Sequence, residues 1–166
     1  MKEEKTVKIL LVEDDEVDIM NVQRAFKKNN IQNPLCVARN GYEALSMLRG
    51  TDGYERIVPT PEIILLDINM PKMNGIEFLQ ELRKDDDLKS ISVFMMTTSN
   101  DDHDKLEAYN LNVAGYVIKP LSFEKFVAAV SILNNYWQLC ARPDNIFEAF
   151  TVNKNQNGNG TWKNPF

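Results

Sequence analysis

Cysteine, histidine and long apolar runs are all scarce in this sequence. Two cysteines, Cys36 and Cys140, occur in 166 residues, far apart and in unlike contexts. They make neither a metal-binding spacing nor a disulfide framework, which points to a reducing compartment. The single histidine, His103 in "NDDHDKLEAY", reads as a solvated residue at the start of a helix. No stretch approaches the roughly 20 apolar residues that span a bilayer. The N-terminal "MKEEKTV" carries charge but no apolar core of a signal peptide. Basic charge is also short, with 24 acids against 19 bases and a net charge of −5. That balance argues against non-specific nucleic-acid binding, which needs lysine and arginine to neutralise phosphates. The expectation is a soluble, cytoplasmic protein with no nucleic-acid and no membrane partner.

Apolar residues make up 43% of the chain, ordinary for a globular protein of a length that buries a sizeable core. Five short runs recur: "VKILLV" (Val7–Val12), "LCVA" (Leu35–Ala38), "EIILLD" (Glu62–Asp67), "SVFMMT" (Ser92–Thr97) and "GYVIK" (Gly115–Lys119). Most are continuous rather than alternating, as in a parallel sheet covered on both faces. Helical stripes lie between them: Ile19, Val22 and Phe26; Ala44, Leu45 and Leu48; Phe78, Leu79 and Leu82; and Phe123, Phe126, Val130, Leu133 and Trp137. Asn40, Asn74 and Ser122 stand where helix N-caps belong, and Gly50 where a helix should stop. Strand alternating with helix predicts an α/β doubly wound sheet built from right-handed crossovers. The long connection "GTDGYERIVPTP" (Gly50–Pro61) reads as a surface loop, and "DDDL" (Asp85–Leu88) as an exposed one.

The expected organisation is an N-terminal tail (1–6), one folded domain (7–138) and a C-terminal extension (139–166). The extension holds one short amphipathic piece around Ile146, Phe147 and Phe150, then an Asn/Gly-rich stretch that cannot bury a core. It is too short for a second folded domain without disulfides or metal, so no DNA-binding output domain is expected.

Polar residues gather at the carboxyl ends of the strands, where open doubly wound sheets bind ligands. The first strand ends in Glu13, Asp14 and Asp15, the third in Asp67, the fourth in Thr97, Thr98 and Ser99, and the fifth in Lys119. Helix capping accounts for Asp15 and Glu16, because acids are favoured at helix N-termini. It does not account for four strand ends at once. Clustered carboxylates repel unless a cation joins them. Carboxylate oxygens without histidine or cysteine suit Mg²⁺. Carboxylates, a hydroxyl, a lysine and Mg²⁺ together suit a phosphoryl group, with a carboxylate, Asp67, as the nucleophile.

With "LLVEDD", "LLDINMPKMNG", "MMTTS" and "GYVIKP" in this order and spacing, the chain resembles the receiver domain of bacterial two-component response regulators from Val7 to Trp137. The resemblance implies a flavodoxin-like fold, a five-stranded parallel sheet of order 2-1-3-4-5. It implies that Asp67 accepts phosphate from a phosphohistidine on a partner kinase, with Thr97 as switch hydroxyl and Lys119 contacting the phosphate. Asp14 would be the main acidic Mg²⁺ ligand with Asp67, Glu13 beside it through water, and Asn69 would offer its backbone carbonyl. Tyr116 would be the switch aromatic that moves with Thr97. The Lys119–Pro120 bond would be cis, and Gly75 would supply a turn where a Cβ clashes. Thr98 departs from the small residue common after the switch threonine and would narrow access to Asp67. Asn69 and Ser99 flank the position of an attacking water and would tune the acyl-phosphate lifetime.

The long loop before the third strand and the "NNYWQLCARP" ending are similar to single-domain receivers that partner bacterial phytochromes. In those the last helix supports a homodimer, and Tyr136 and Trp137 hold the corresponding place here. For Trp137 the competing reading is packing of the last helix on the sheet. The implied partners are a sensor histidine kinase of phytochrome type or a histidine phosphotransfer protein, with dimerisation through helix 4, strand 5, helix 5 and the extension. The leading expectation is a phospho-switch module, not an enzyme. Two alternatives stand beside it. One is a degenerate receiver that binds partners without phosphate. The other is an aspartyl-phosphate phosphohydrolase, which would want its nucleophile on the first strand in a D-x-D-x-[TV] pattern that "EDDEVD" lacks.

Overall fold

The computed structural model describes residues 7–140. The expected tail at 1–6 and the amphipathic piece around Ile146, Phe147 and Phe150 lie outside the described residues, as does most of the 139–166 extension. Five strands alternate with five helices: β1 (Ile9–Val12), α1 (Glu16–Lys28), β2 (Leu35–Ala38), α2 (Gly41–Arg49), β3 (Ile63–Leu66), α3 (Gly75–Lys84), β4 (Ser92–Thr97), α4 (Asp102–Asn110), β5 (Gly115–Ile118) and α5 (Phe123–Leu139). The strands form one parallel sheet in the order β2-β1-β3-β4-β5. Every pairing is parallel, with Val12 opposite Leu66 and Leu66 opposite Met95.

Because strand side chains alternate, each continuous apolar run serves two cores. Leu10, Val12, Ile64, Leu66, Val93 and Met95 face α2, α3 and α4, where Phe78, Leu79 and Leu82 are fully buried. Ile9, Leu11, Ile63, Leu65, Phe94 and Met96 face α1 and α5, packing on Phe26, Phe126, Val130 and Trp137. Fully burying one such side chain stabilises the fold by about 1.5–3 kcal/mol. The β1, β3 and β4 runs are therefore apolar on both sides because neither side meets water.

The caps stop the helices where polar side chains replace the missing backbone partners. Asn40, Asn74 and Ser122 accept the N–H of Glu43, Glu77 and Lys125, and Asn74 with Glu77 completes a capping box. Gly50, at φ 70°, closes α2. The Gly50–Pro61 connection is tied down more than a surface loop would be: Ile57 is buried, its N–H donates to Met47 O at 2.9 Å, and Lys8 Nζ donates to Val58 O. The acidic "DDDL" turn likewise differs from expectation, because Leu88 is buried in the core beside Ile91. Trp137 is core, with its ring 6.3 Å from Phe26 and 6.2 Å from Phe94, whereas Tyr136 remains exposed. Among the described residues no helix is long and apolar enough to cross a membrane.

Candidate functional site

The sheet register assembles the site. Val12 pairs with Leu66, so the next residues, Glu13 and Asp67, emerge side by side from the two central strands. The Asp67 N–H continues the ladder to Val12 O at 3.0 Å, and the Glu13 N–H reaches Ala38 O at 2.9 Å. This is where strand order reverses, the place open α/β sheets use for ligands. One oxygen from each of Glu13, Asp14 and Asp67 lies within 4.8 Å of the others. A set of carboxylates alone fits a hard divalent cation.

Gly75 fixes the turn beyond Asp67. Its N–H donates to Ile68 O at 2.9 Å, and a Cβ on it would lie 2.1 Å from Asp67 O. Only a residue without Cβ lets α3 start this close to the end of β3. The Asp67 side chain is itself oriented, since Oδ1 accepts the Ile68 N–H at 2.8 Å.

Lys119 arrives from the end of β5, where its N–H donates to Thr97 O at 2.8 Å. Its Nζ stands 2.5 Å from Glu13 Oε2, 2.8 Å from Asp18 Oδ2 and 3.4 Å from Asp67 Oδ2, with the lysine side chain only 10% exposed. Burial draws the lysine pKa down, but the hydrogen bonds to Asp18 and Glu13 and the charge of Asp67 outweigh it, and the ammonium is held above its usual range. Burial pushes Glu13 up to about 7; Lys119 opposes this and the neighbouring Asp67 charge adds to it. The uncompensated charge of the site is therefore negative, and a cation relieves it. A cavity of about 130 Å³ adjoins these groups, with Glu13, Asp18, Asp67 and Lys119 among its lining and Leu11, Leu66 and Met96 among its apolar wall.

Thr97 is fully buried at the end of β4. Its Oγ1 accepts the Ser99 N–H at 3.2 Å, leaving the hydroxyl proton free to donate elsewhere. Ser99 Oγ donates to Asp104 Oδ2 at 2.7 Å. Tyr116 is half-buried on β5 and its hydroxyl donates to Ser99 O at 3.0 Å. Asn69 and Thr98 are exposed beside this end of the sheet.

The structure thus gathers Glu13, Asp14, Asp67 and Lys119 directly, with Thr97 on the neighbouring strand end. Asp15 caps α1 by accepting the Asp18 N–H at 3.0 Å, as capping predicts. One expectation needs correction: Lys119–Pro120 is not cis, and the cis X–Pro bond among the described residues is Val58–Pro59. The two X–Pro isomers differ by only about 0.5–1 kcal/mol, so chain context decides between them and a dipeptide does not. Sequence reasoning also missed two residues, Asp18 on Lys119 and Asp104 on Ser99. Asp18 had one available signal: α1 opens directly after the acidic end of β1, so an acid in its first turn stands near the strand ends.

Comparison with known proteins bears on this geometry. The sequence pattern of the response regulator receiver domain matches residues 9–131. Response regulator Rcp1 of Synechocystis sp. is 36% identical over 129 residues, covering 78% of this chain and 87% of that protein. The phosphorylated cyanobacterial phytochrome response regulator RcpA superposes with a TM-score of 0.76 at 33% identity, covering 83% of this chain and 98% of that one. The Mn²⁺-bound form of Rcp1 superposes with a TM-score of 0.75 at 33% identity, over 83% of this chain and 99% of the other.

Proposed function

The chain belongs to the response regulator receiver domain family and resembles the phytochrome-partner response regulators, and on that premise we propose that it is a phospho-switch whose Asp67 accepts a phosphoryl group from a histidine kinase. The observation that carries this reading is the convergence of Glu13, Asp14 and Asp67 with Lys119 at the sheet's reversal point. In the transfer an Asp67 carboxylate oxygen attacks phosphorus, the P–O bond forms, the P–N bond of phosphohistidine breaks, and the electron pair leaves with the imidazole. Lys119 and the Thr97 hydroxyl contact the phosphoryl oxygens as charge moves onto them. Asp14, Asp67, the Asn69 carbonyl and, through water, Glu13 would hold Mg²⁺, which supplies charge neutralisation when bound.

Phosphorylation then biases a two-state equilibrium in which Thr97 and Tyr116 move together and reshape the face of α4, β5 and α5. That face exposes Leu106 and Tyr109 on α4, Ile118 on β5 and Tyr136 and Leu139 on α5. It is suited to a protein partner or to a second copy of the chain. The likeness to phytochrome response regulators supports a phytochrome-type kinase as donor, acting in the cytoplasm. A histidine photoreceptor kinase and a phosphotransfer protein present the same phosphohistidine chemistry. The protein is a signalling module, with at most slow self-dephosphorylation.

The test is intact mass and size-exclusion elution with Mg²⁺ and acetyl phosphate, for wild type and Asp67→Asn. One added phosphoryl group in wild type alone is expected, and a concurrent elution shift would identify dimerisation as output. Stoichiometric phosphorylation of the variant would remove Asp67 from its role. The absence of both phosphorylation and beryllofluoride binding in wild type would favour a degenerate receiver.

A further inference from the structure

Asp18 stands in the first turn of α1, where an acid is ordinarily explained by the helix dipole. The cap is already filled, however, because Asp15 takes the Asp18 N–H at 3.0 Å. The Asp18 side chain instead crosses to the end of β5 and accepts from Lys119 Nζ at 2.8 Å, between residues 101 positions apart. A lysine ammonium has three N–H donors. Here three carboxylates surround it, and the one nearest in function, Asp67, is the farthest at 3.4 Å.

From this geometry we infer that Asp18 is a positioning residue that withholds Lys119 from Asp67 and so favours the unphosphorylated state. The inference rests on the reading of Asp67 as phosphoacceptor. A phosphoryl group on Asp67 brings new anionic oxygens that compete for Lys119. Glu13 and Asp18 are the competitors it must displace. Glu13 belongs to the carboxylate cluster that could hold a cation, whereas Asp18 is outside that cluster and its hydrogen bond into the site goes to Lys119. Asp18 therefore opposes the phosphoryl state twice, by occupying the lysine and by adding a negative charge beside a dianion. Its side chain is 35% exposed on α1, so the restraint acts from the surface of the molecule and not from its core.

Asp18→Asn and Asp18→Ser are compared with wild type. Thermal unfolding establishes that each variant folds. Beryllofluoride affinity at saturating Mg²⁺ is followed by fluorine NMR, and Mg²⁺ affinity is measured separately. The expected result is a rise in beryllofluoride affinity of about threefold or more in both variants, the scale of one partly screened charge, while Mg²⁺ affinity holds or falls. A role in structure alone would weaken both affinities. Unchanged or weaker beryllofluoride binding in the variants, or a parallel rise in both affinities, overturns the role of Asp18 while leaving the phosphoacceptor reading intact. Absence of beryllofluoride binding in wild type overturns that reading, and the role of Asp18 with it.

Discussion

The Tyr116 hydroxyl donates to the Ser99 carbonyl at 3.0 Å, and this bond ties β5 to the loop that leaves β4. Ser99 is a junction, since its N–H reaches Thr97 Oγ1 and its own hydroxyl donates to Asp104 on α4 and accepts the Asp101 N–H. Burial raises the Tyr116 pKa, which keeps the phenol protonated and a donor. On the proposed function, any step of Thr97 toward Asp67 pulls this junction with it. Tyr116→Phe removes one hydrogen bond that holds the resting arrangement, worth about 1 kcal/mol or roughly a fivefold change in the equilibrium. Beryllofluoride affinity should rise by about that factor, with faster amide exchange at the start of α4. Equal affinities in the two proteins would show that the tether does not restrain the switch.

Gly75→Ala places a methyl carbon 2.1 Å from Asp67 O and 3.0 Å from Ile68 Cα. Both neighbours are backbone, so no rotamer change relieves the clash. The end of β3 must shift, at a cost of about 1–3 kcal/mol or more, and Asp67 shifts with it. Urea unfolding should show the loss of stability, and phosphorylation by acetyl phosphate should fall as well. A variant as stable as wild type would mean that the turn after β3 is looser than its contacts indicate.

Arg83 holds together three segments that approach one another at the amino-terminal edge of the sheet. Its guanidinium donates to the carbonyls of Leu111 at 2.7 Å, Lys89 at 2.7 Å, Ile91 at 2.9 Å and Asn112 at 3.1 Å. Those acceptors lie in the turns before β4 and β5. A lysine ammonium is one point charge and cannot reproduce this fork. Arg83→Lys should cost about 1–2 kcal/mol and Arg83→Ala about 2–4 kcal/mol in urea unfolding. Amide exchange should quicken first at the end of α4, while Lys119 and Asp67 keep their geometry. A lysine variant with wild-type stability would count against the fork.

Much of the fold was legible because apolar runs and caps are local signals. The β2 run Leu35–Ala38 and the β4 run Ser92–Thr97 coincide with the observed strands, while the other three runs shorten by one or two residues at their ends. Glu13, Asp67 and Lys119 were legible as a group because parallel register brings strand ends together. The contacts of Asp18 and Arg83 were not, because their partners lie far along the chain and no periodicity reports a side chain that crosses between elements. Leu88 was hidden by the acids around it, although one apolar residue in a charged turn is itself a sign of anchoring. Trp137 could be read as core or surface from its stripe alone, and the rings of Phe26 and Phe94 put it in the core.

Glu13 makes the stability of the metal-free protein depend on pH with an unusual sign. Burial, its largest influence, pushes its pKa from 4.5 up to about 7, against the opposing pull of Lys119. Between those values the folded protein holds a proton that the unfolded chain has released. Stability from this group is therefore complete below about pH 4.5 and is lost as pH rises through about 7. The loss is on the order of a few kcal/mol, since each pKa unit corresponds to about 1.4 kcal/mol. Mg²⁺ acts in the opposite sense, because carboxylate ligands bind it only when ionised. Urea midpoints of metal-free wild type should fall from pH 5 to pH 8 relative to Glu13→Gln, which cannot titrate there. Added Mg²⁺ should restore stability at pH 8 far more than at pH 5. A difference between wild type and Glu13→Gln that does not change across this range would mean that Glu13 is already ionised at pH 5. In that case Lys119, and not burial, governs its charge.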